Sequence, residues 1–308
     1  MDTPADDRST RSGGLGFGAG AYLCWGFFPL YWPLLLPAGS LEVLAHRIVW
    51  SLLVVAVALT VLGGWRRLTA IARDPRTLAV VSVASVAIAV NWGGFIYGVT
   101  SGHVVETSLG YFINPLVTVL LGVVVLGERL RRVQWAAVAL GATAVLVLTV
   151  DLGRPPWIAL LLASSFAAYG FLKKRADLGA VEGLGLETLV LVPFALAFLA
   201  VLQVRGELVF AHSGAVNAVL LAATGVVTAV PLLLFSAAAT RLSLTQIGLL
   251  QYLTPVVQFV LGLVVFGEAM STARWAGFVL IWTALVVFTT DAVTHRRKVL
   301  RRAAESAV

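Results

Sequence analysis

Arg47 carries a positive charge inside a long apolar stretch, with His46 beside it and Glu42 at the start of that stretch. A charged side chain within a membrane helix costs at least ~2.5 kcal/mol on insertion scales, so it normally faces a cavity or a partner. A guanidinium in this position could hold an anionic or carbonyl group of a solute, with His46 next to it. Two other interpretations stay open, in which Arg47 snorkels to the interface or forms a structural salt bridge with Glu42.

Polar and aromatic side chains inside later apolar stretches could contact the same solute. Trp92 could stack on it and Asn91 could line the same cavity, although simple packing explains both equally well. Two further groups each surround a proline, which within a span frees a backbone carbonyl and bends the helix. They are Tyr111, Asn114 and Pro115, and Tyr252, Thr254 and Pro255. Kinks without ligand contact are also common in membrane helices, so a structural role stays open.

Two carboxylates are candidates for coupling transport to protons. Glu106 begins an apolar segment, where the favourable placement of an acidic residue at a helix N-terminus explains it as well. Glu187 lies within another apolar segment. It is predicted to contact the solute or to bind a proton, and a local hydrogen bond at the lipid interface is the alternative.

The sequence lacks the patterns that most enzymes need. The four histidines, His46, His103, His212 and His295, are scattered without metal-ligand spacing, and no paired-carboxylate motif or phosphate-binding loop occurs. We therefore expect no catalytic residue, no metal and no cofactor. An integral-membrane enzyme acting on a lipid-soluble substrate is the alternative, and it would require such groups to cluster at one membrane face.

The apolar segments that carry these residues are too long and too numerous for one soluble core. Of the 308 residues, 59% are hydrophobic and only 12% are charged, and the mean hydropathy is +0.95. A bilayer crossing needs roughly 20 apolar residues of helix, and open strands would leave backbone groups without partners in lipid. Ten helices are predicted, at Gly14–Leu36, Val43–Leu62, Leu78–Thr100, Val104–Leu126, Val133–Val150, Trp157–Leu172, Leu184–Val204, Ala215–Ala239, Leu244–Phe266 and Ala273–Ala292.

The basic residues predict how these helices are oriented. With a cytoplasmic N-terminus, eighteen of the 22 Lys and Arg residues fall on the cytoplasmic side and only three, Arg154, Arg205 and Arg274, on the other. Since short loops rich in Lys and Arg stay cytoplasmic, both termini are predicted to be inside and the chain to lie in the inner membrane. The net charge of +7 does not indicate nucleic-acid binding, because the basic residues lie between apolar segments and not on one folded face.

An internal repeat predicts the architecture. Residues 115–151 match residues 255–291 at a constant offset of 140 positions. The matches include Pro115 with Pro255, Gly127-Glu128 with Gly267-Glu268, Trp135 with Trp275, and Asp151 with Asp291. Because each copy holds five spans, an odd number, the second copy must enter the membrane in reverse, as in many secondary transporters.

The repeat divides the chain into two halves, residues 13–151 and 152–292, with tails at residues 1–12 and 293–308. The same offset pairs Arg47 with Glu187, so opposite charges occupy equivalent positions. Our hypothesis is that both side chains point into a central cavity, where they pair in one state or contact the solute separately.

The repeated endings resemble the paired EamA units of the drug/metabolite transporter superfamily. The strings Glu-Val-Leu-Ala-His-Arg at 42–47, Ser-Leu-Gly-Tyr-Phe-Ile-Asn-Pro at 108–115 and Ala-Ala-Ala-Thr-Arg at 237–241 are similar to the RarD branch. This resemblance implies a ten-helix inner-membrane permease for small organic solutes, such as drugs or metabolites. The expected partners are the solute, the lipid bilayer and, if transport is coupled, protons. The second half reads Gln-Tyr-Leu-Thr-Pro at 251–255 where the first reads Tyr-Phe-Ile-Asn-Pro, so the two half-sites differ chemically.

The predicted fold class is therefore an all-α integral membrane protein, with ten transmembrane helices as two inverted-topology five-helix repeats. The predicted mechanism is alternating access, in which the two halves move about a shared midplane site.

Overall fold

The structure, a computed structural model, describes residues 4–176 and 178–305, and this part of the chain consists of helices joined by short turns and loops. No strand occurs in these ranges. The helices are α1 (Pro4–Tyr31), a 3₁₀ turn (Trp32–Leu35), α2 (Ser40–Leu62), α3 (Trp65–Ala72), α4 (Pro75–Thr100), α5 (Val104–Leu126), α6 (Arg132–Leu152), α7 (Trp157–Ala176), α8 (Ala180–Arg205), α9 (Ala215–Ala239), α10 (Leu244–Leu250), α11 (Leu253–Val264) and α12 (Thr272–Glu305).

The protein is a multi-pass membrane protein. Eight spans in the described ranges are long and apolar enough to cross a bilayer, namely α2, α4, α5, α6, α8, α9, α12 and a segment from α10 through α11. Large apolar side chains also face outward, among them Val124, Val150 and Val204, each more than four-fifths exposed. The remaining two predicted spans correspond to α1 and α7, and the basic last turn of α7 lowers its hydropathy.

Two predicted ends differ from the structure at α1 and α12. The first helix begins at Pro4 and stops at Tyr31, not at Leu36, and a 3₁₀ turn follows. Pro33 explains the stop, because a proline within a helix removes a hydrogen bond and clashes with the preceding turn. At the other end α12 continues to Glu305, so much of both predicted tails is helical. Residues 1–3 and 306–308 of those tails lie outside the described residues.

The ninth predicted span is broken into α10 and α11 at Gln251 and Tyr252. The ring of Pro255 would clash with the carbonyl four residues before it, which belongs to Gln251. The equivalent Pro115 lies inside an unbroken α5. A proline at the same repeat position therefore goes with a broken helix in the second half and with a continuous helix in the first half.

A short helix that the hydropathy pattern does not predict, α3, lies between α2 and α4. It contains Arg66 and Arg67, and only Leu68 among its residues is buried. The next helix then begins with a strong N-terminal signal, since the Asp74 carboxylate accepts the N–H groups of Arg76 and Thr77. This capping satisfies two donors at the helix end.

Helix starts recur at the repeat offset. The paired first residues are Ser40 with Ala180, Pro75 with Ala215, Val104 with Leu244, and Arg132 with Thr272. Helix contacts also recur at equivalent positions of the repeat. Helix α1 packs on α9 and α11, and its counterpart α7 packs on the counterparts of those helices, α4 and α5. Helices α2 and α6 pack on their own counterparts, α8 and α12.

Two ion pairs join α6 and α12 at opposite ends. Asp151, at the end of α6, accepts a hydrogen bond from Arg274 Nε at the start of α12, at 2.8 Å. Asp291, near the end of the apolar part of α12, accepts one from Arg131 Nε just before α6, at 3.0 Å. Because the end of each helix meets the start of the other, α6 and α12 run antiparallel. Asp151 and Asp291 are equivalent residues of the repeat, so the two pairs are matched.

Candidate functional site

The side chain of Arg47 is buried at a meeting point of several helices. It extends from α2 and is only 3% exposed, and its Nε donates to the Thr228 hydroxyl of α9 at 2.9 Å. It does not snorkel to an interface, and the salt bridge considered with Glu42 is not formed. Instead the bond to Thr228 joins a residue of the first half of the chain to one of the second half.

Aromatic rings surround the guanidinium. Its carbon lies 4.0 Å from the ring centroid of Trp92 on α4, 5.3 Å from that of Trp32 and 5.7 Å from that of Phe28. Rings at these distances attract a cation through their negative faces. We call Arg47, Thr228, Trp92, Trp32 and Phe28 the arginine site.

The arginine site leaves hydrogen-bond donors without acceptors. Neither terminal amino group of Arg47 makes a hydrogen bond to a described residue. These two nitrogens do not belong to the set of polar atoms that are both fully enclosed and without a partner. Trp32 Nε1 is one of those enclosed atoms. A buried donor without an acceptor costs about 1–3 kcal/mol, so the site is suited to bind an acceptor.

Asn91 and Tyr111 form a hydrogen-bonded bridge beside this site. The Tyr111 hydroxyl of α5 donates to Asn91 Oδ1 at 3.2 Å, and the Asn91 amide donates to the Leu162 carbonyl of α7 at 3.0 Å. The Tyr111 ring packs edge-on against Phe95. The bridge therefore fixes α4, α5 and α7 around the arginine site.

His46 points into a different environment. Its Nδ1 accepts the Trp50 indole N–H at 3.3 Å, and its ring stacks on Phe210 with centroids 4.6 Å apart. Glu42 lies 3.9 Å from His46 and accepts the backbone N–H groups of Val209 and Phe210 at 2.8 and 3.0 Å. These contacts hold the turn between α8 and α9, so His46 and Glu42 do not join the arginine site in this structure.

Glu187 is also held apart from Arg47. Its carboxylate on α8 accepts Lys173 Nζ at 2.5 Å and the Tyr169 hydroxyl at 3.2 Å, both from α7. The side chain of Glu187 is 3% exposed, whereas that of Lys173 is 26% exposed. The predicted pairing of Arg47 with Glu187 is therefore absent from this structure, where each has other partners.

The remaining candidates lie in α5, in the break between α10 and α11, and in α11. Thr254 donates to the Tyr22 carbonyl of α1 at 2.8 Å, and the Tyr252 hydroxyl lies 3.4 Å from the Thr289 hydroxyl of α12. Asn114 Oδ1, near the centre of the helix that contains Pro115, is enclosed and has no partner among the described residues. Pro255 itself lies in the first turn of α11, directly after the break.

A separate charged cluster lies where α5, α7 and α12 begin. Glu106 accepts Arg154 Nη2 at 2.8 Å and the Ile158 N–H of α7 at 3.0 Å. Glu268, in the loop before α12, accepts the N–H groups of Val104 and Val105 at the start of α5. Both carboxylates thus bind helix N-termini, where the helix dipole favours negative charge.

The charged cluster lines a cavity of about 300 Å³ together with His103 and Arg274. Burial raises the pKa of Glu268 to about 7, and the hydrogen bonds from Val105 and Val104 oppose that rise. Glu268 is therefore a residue whose charge changes near neutral pH. Its repeat counterpart Glu128 is exposed.

Sequence reasoning missed several of these partners. Thr228, Trp32 and Phe28 carry no signal of their own, because single Thr and aromatic residues are ordinary in membrane spans. Lys173 is one of the eighteen basic residues predicted on the cytoplasmic side, and that pattern does not indicate that its long side chain reaches the buried Glu187 carboxylate. Glu268 did carry a signal, since Gly267-Glu268 repeats Gly127-Glu128, but that signal also fits a simple helix end.

Comparison with known proteins identifies the family. The sequence profile of the EamA-like transporter family matches the chain twice, over residues 12–150 and 155–290. The chain is 54% identical over 285 residues to protein RarD of Streptomyces exfoliatus, covering 92% of this chain and 90% of that protein. It is 39% identical over 293 residues to protein RarD of Escherichia coli, covering 95% and 99% of the two chains.

Two further comparisons agree. An uncharacterized transporter of Bacillus subtilis, YojE, is 41% identical over 288 residues, covering 92% of this chain and 96% of that protein. One solved protein structure shares the fold with a TM-score of 0.58 at 19% identity, covering 92% of this chain and 99% of that chain. The chain therefore belongs to the EamA-like transporter family, as a RarD-like membrane permease.

Proposed function

We propose that this chain is an inner-membrane secondary permease that moves a small organic solute by alternating access. The solute site is the arginine site, between two inverted five-helix halves at residues 13–151 and 152–292. In this proposal Asn91, Trp92 and Tyr111 line the site, and the halves rock about it.

The observation that carries this proposal is the bond between Arg47 and Thr228. In this bond a buried cation of residues 13–151 with unused donors contacts a side chain of residues 152–292. Binding sites of secondary transporters commonly lie at such a repeat interface near the bilayer midplane, where opposite movements of the halves expose them to one side and then the other. A purely structural arginine would be expected to have its donors satisfied.

The antiparallel packing of α6 and α12 supports the inverted arrangement. Equivalent helices of the two halves run in opposite directions and are joined by matched ion pairs, Asp151–Arg274 and Asp291–Arg131. Helices α1 and α7 pack inside the same bundle as the eight apolar spans, which supports ten crossings in all. The excess of basic residues on one side supports cytoplasmic termini in the inner membrane.

The charged cluster supports a bundle that is closed at one end. Glu268 joins the start of α5 to the α11–α12 loop, and the adjacent Gly262 packs against Val105. At the equivalent position of the other half, Glu128 is exposed, and its carboxylate lies beside Gly122 of α5, the helix that precedes it. In our proposal the closed end faces outward, because Arg154 and Arg274 belong to the side with few basic residues.

Side-specific labelling tests the inverted arrangement. Replacing Cys24, the single cysteine, with Ala gives a cysteine-free background, to which Arg129→Cys or Ala269→Cys is added. A membrane-impermeant maleimide should label Ala269→Cys in whole cells and Arg129→Cys only in inside-out vesicles. Labelling of both from the same side would refute the inverted halves.

Flux in proteoliposomes tests transport itself. Solutes that raise the thermal stability of the purified protein are radiolabelled and measured for counterflow, with and without a pH gradient. We expect at least one to exchange faster than in protein-free liposomes, and Arg47→Gln to reduce that exchange. The matched control is Arg205→Gln, which removes an exposed arginine at the end of α8. No exchange for any stabilising solute, or full exchange in Arg47→Gln, would contradict the proposal.

A further inference from the structure

The arginine site holds a positive charge that no described carboxylate neutralises. We propose that the solute is an organic monoanion, a carboxylate joined to a flat apolar or aromatic body, and that Arg47 and Trp32 bind its carboxylate. This inference rests on the proposed function, because it names the chemical class of solute for the same site.

Arg47 has no acidic partner among the described residues. The ion pairs among described residues use other groups, and the nearby acidic side chains are engaged elsewhere, Glu42 by two backbone N–H groups and Glu187 by Lys173. A buried ion without a counter-charge carries a penalty of several kcal/mol. Ring faces and one hydroxyl offset only part of it, since a cation–π contact contributes about 0.5–2 kcal/mol. A bound anionic ligand would neutralise the positive charge of Arg47.

The arginine site contains hydrogen-bond donors that the described residues do not use. Among the described residues, both terminal amino groups of Arg47 lack acceptors, and Trp32 Nε1 is enclosed without one. A planar guanidinium donates two parallel bonds to a carboxylate, and such charge-assisted bonds are roughly twice as strong as neutral ones. All of these groups are donors, so they select a ligand group that only accepts hydrogen bonds.

The walls of the arginine site are aromatic. Trp92, Trp32 and Phe28 surround the guanidinium, and Tyr111 packs edge-on against Phe95 nearby. Flat apolar bodies pack well on such rings, with stacked or edge-on contacts contributing about 0.5–1.5 kcal/mol. A cationic solute would instead meet the repulsion of Arg47. The site therefore favours an aromatic anion over a cation of the same shape.

A charge series with one ring tests the inference. Radiolabelled benzoate is bound to the purified full-length protein in detergent, and unlabelled benzoate, benzamide and benzylamine are used as competitors. We expect benzoate to compete best and benzylamine worst. In Arg47→Gln, benzoate should bind roughly ten- to a hundredfold more weakly, as expected for loss of a charge-assisted hydrogen-bond pair. The affinity of Arg47→Lys for benzoate should lie between that of the parent and that of Arg47→Gln. The exposed control Arg205→Gln should bind benzoate as the parent does.

A second measurement separates binding from folding. Arg47→Gln removes an uncompensated buried charge, so its melting temperature without ligand should equal or exceed that of the parent. Trp32→Phe keeps the ring but loses the indole N–H, and it should weaken benzoate binding without changing the rank of the competitors. A large loss of stability in Arg47→Gln, or equal competition by all three compounds, would overturn the inference.

The inference can fail while the proposed function stands. If the protein exchanges neutral or cationic solutes in proteoliposomes but ignores benzoate and other aromatic carboxylates, the permease remains and the anion class is wrong. If no solute of any charge is exchanged, the proposed function itself fails.

Discussion

The carboxylate of Glu268 accepts the backbone N–H of Val105 at 3.1 Å, across 163 residues of sequence. This bond attaches the loop before α12 to the first turn of α5, and so joins the two halves at one end of the bundle. Because a neutral carboxylic acid is a weaker acceptor than a carboxylate, the strength of this connection depends on the charge of Glu268.

The raised pKa of Glu268 predicts a pH-dependent stability. Its folded pKa of about 7 lies above the ordinary value, so the folded protein binds the proton more tightly than the unfolded chain. The stabilising contribution is therefore complete below the ordinary carboxyl pKa and is lost as pH rises toward and through about 7. Arg274 and Glu106 face Glu268 and act in opposite directions on it.

The variant Glu268→Gln cannot titrate, so its melting temperature relative to the parent should increase with pH. Between pH 5 and 8 we expect this difference to rise by about 2–4 °C, the shift that roughly 1 kcal/mol produces in a protein of this size. Thermal unfolding in detergent at a series of pH values measures it. Glu128→Gln, at the equivalent exposed position, is the control and should show a flat difference. A flat or falling difference in Glu268→Gln would contradict the prediction.

The sequence predicted the membrane helices well because hydropathy is a strong local signal. Four helix starts recur at the 140-residue offset, as the repeat between residues 115–151 and 255–291 implies. Where prediction failed, the cause was usually local geometry that hydropathy does not register. Pro33 ends α1 early, Pro255 breaks the ninth span, and the short α3 contributes only one buried side chain.

The candidate site was harder to predict because partners come from distant parts of the chain. Arg47 could be singled out by its charge, but Thr228 lies 181 residues away and looks like any threonine in a span. The proposed link to Glu187 followed from symmetry alone. Symmetry does not indicate that Lys173, one turn from the end of α7, forms an ion pair with the Glu187 carboxylate.

The pair of Lys173 and Glu187 predicts an asymmetric response to mutation. Lys173→Met should destabilise the protein by about 3–5 kcal/mol, because it leaves a buried carboxylate without its cation. Glu187→Gln should cost less, since the partly exposed Lys173 can turn toward water. The double variant Lys173→Met/Glu187→Gln should recover much of the loss. Chemical or thermal unfolding of all three measures the cycle, and equal costs for the two single variants would disprove the argument.

The matched ion pairs between α6 and α12 predict a measurable coupling. Asp151→Asn and Arg274→Gln should each lower stability, and their double-mutant cycle should give a coupling of roughly 0.5–1 kcal/mol, as for partly exposed pairs. Arg131 and Asp291 form the equivalent cycle and should give a similar value. Combining Asp151→Asn with Arg131→Gln provides the control, because these residues belong to different pairs and their effects should add. Coupling in that control as large as within a pair would show that the bonds do not act separately.

The close contact between α2 and α9 at Gly225 predicts that adding a single methyl group there destabilises the protein. A Cβ at this position would meet the backbone nitrogen of Ser51 at 2.9 Å and would come still closer to the backbone carbonyl of Trp50. Backbone atoms cannot relieve a clash by rotating to another conformer as a side chain can. Gly225→Ala must therefore push α2 and α9 apart near the bond from Arg47 to Thr228. We expect a loss of at least about 2 kcal/mol, comparable to overpacking a core, together with reduced exchange in proteoliposomes. Gly170→Ala, inside α7 with open space around it, should be neutral or slightly stabilising, because alanine favours helix more than glycine does. If both variants melt at the parent temperature, α2 and α9 are not packed through Gly225 as described.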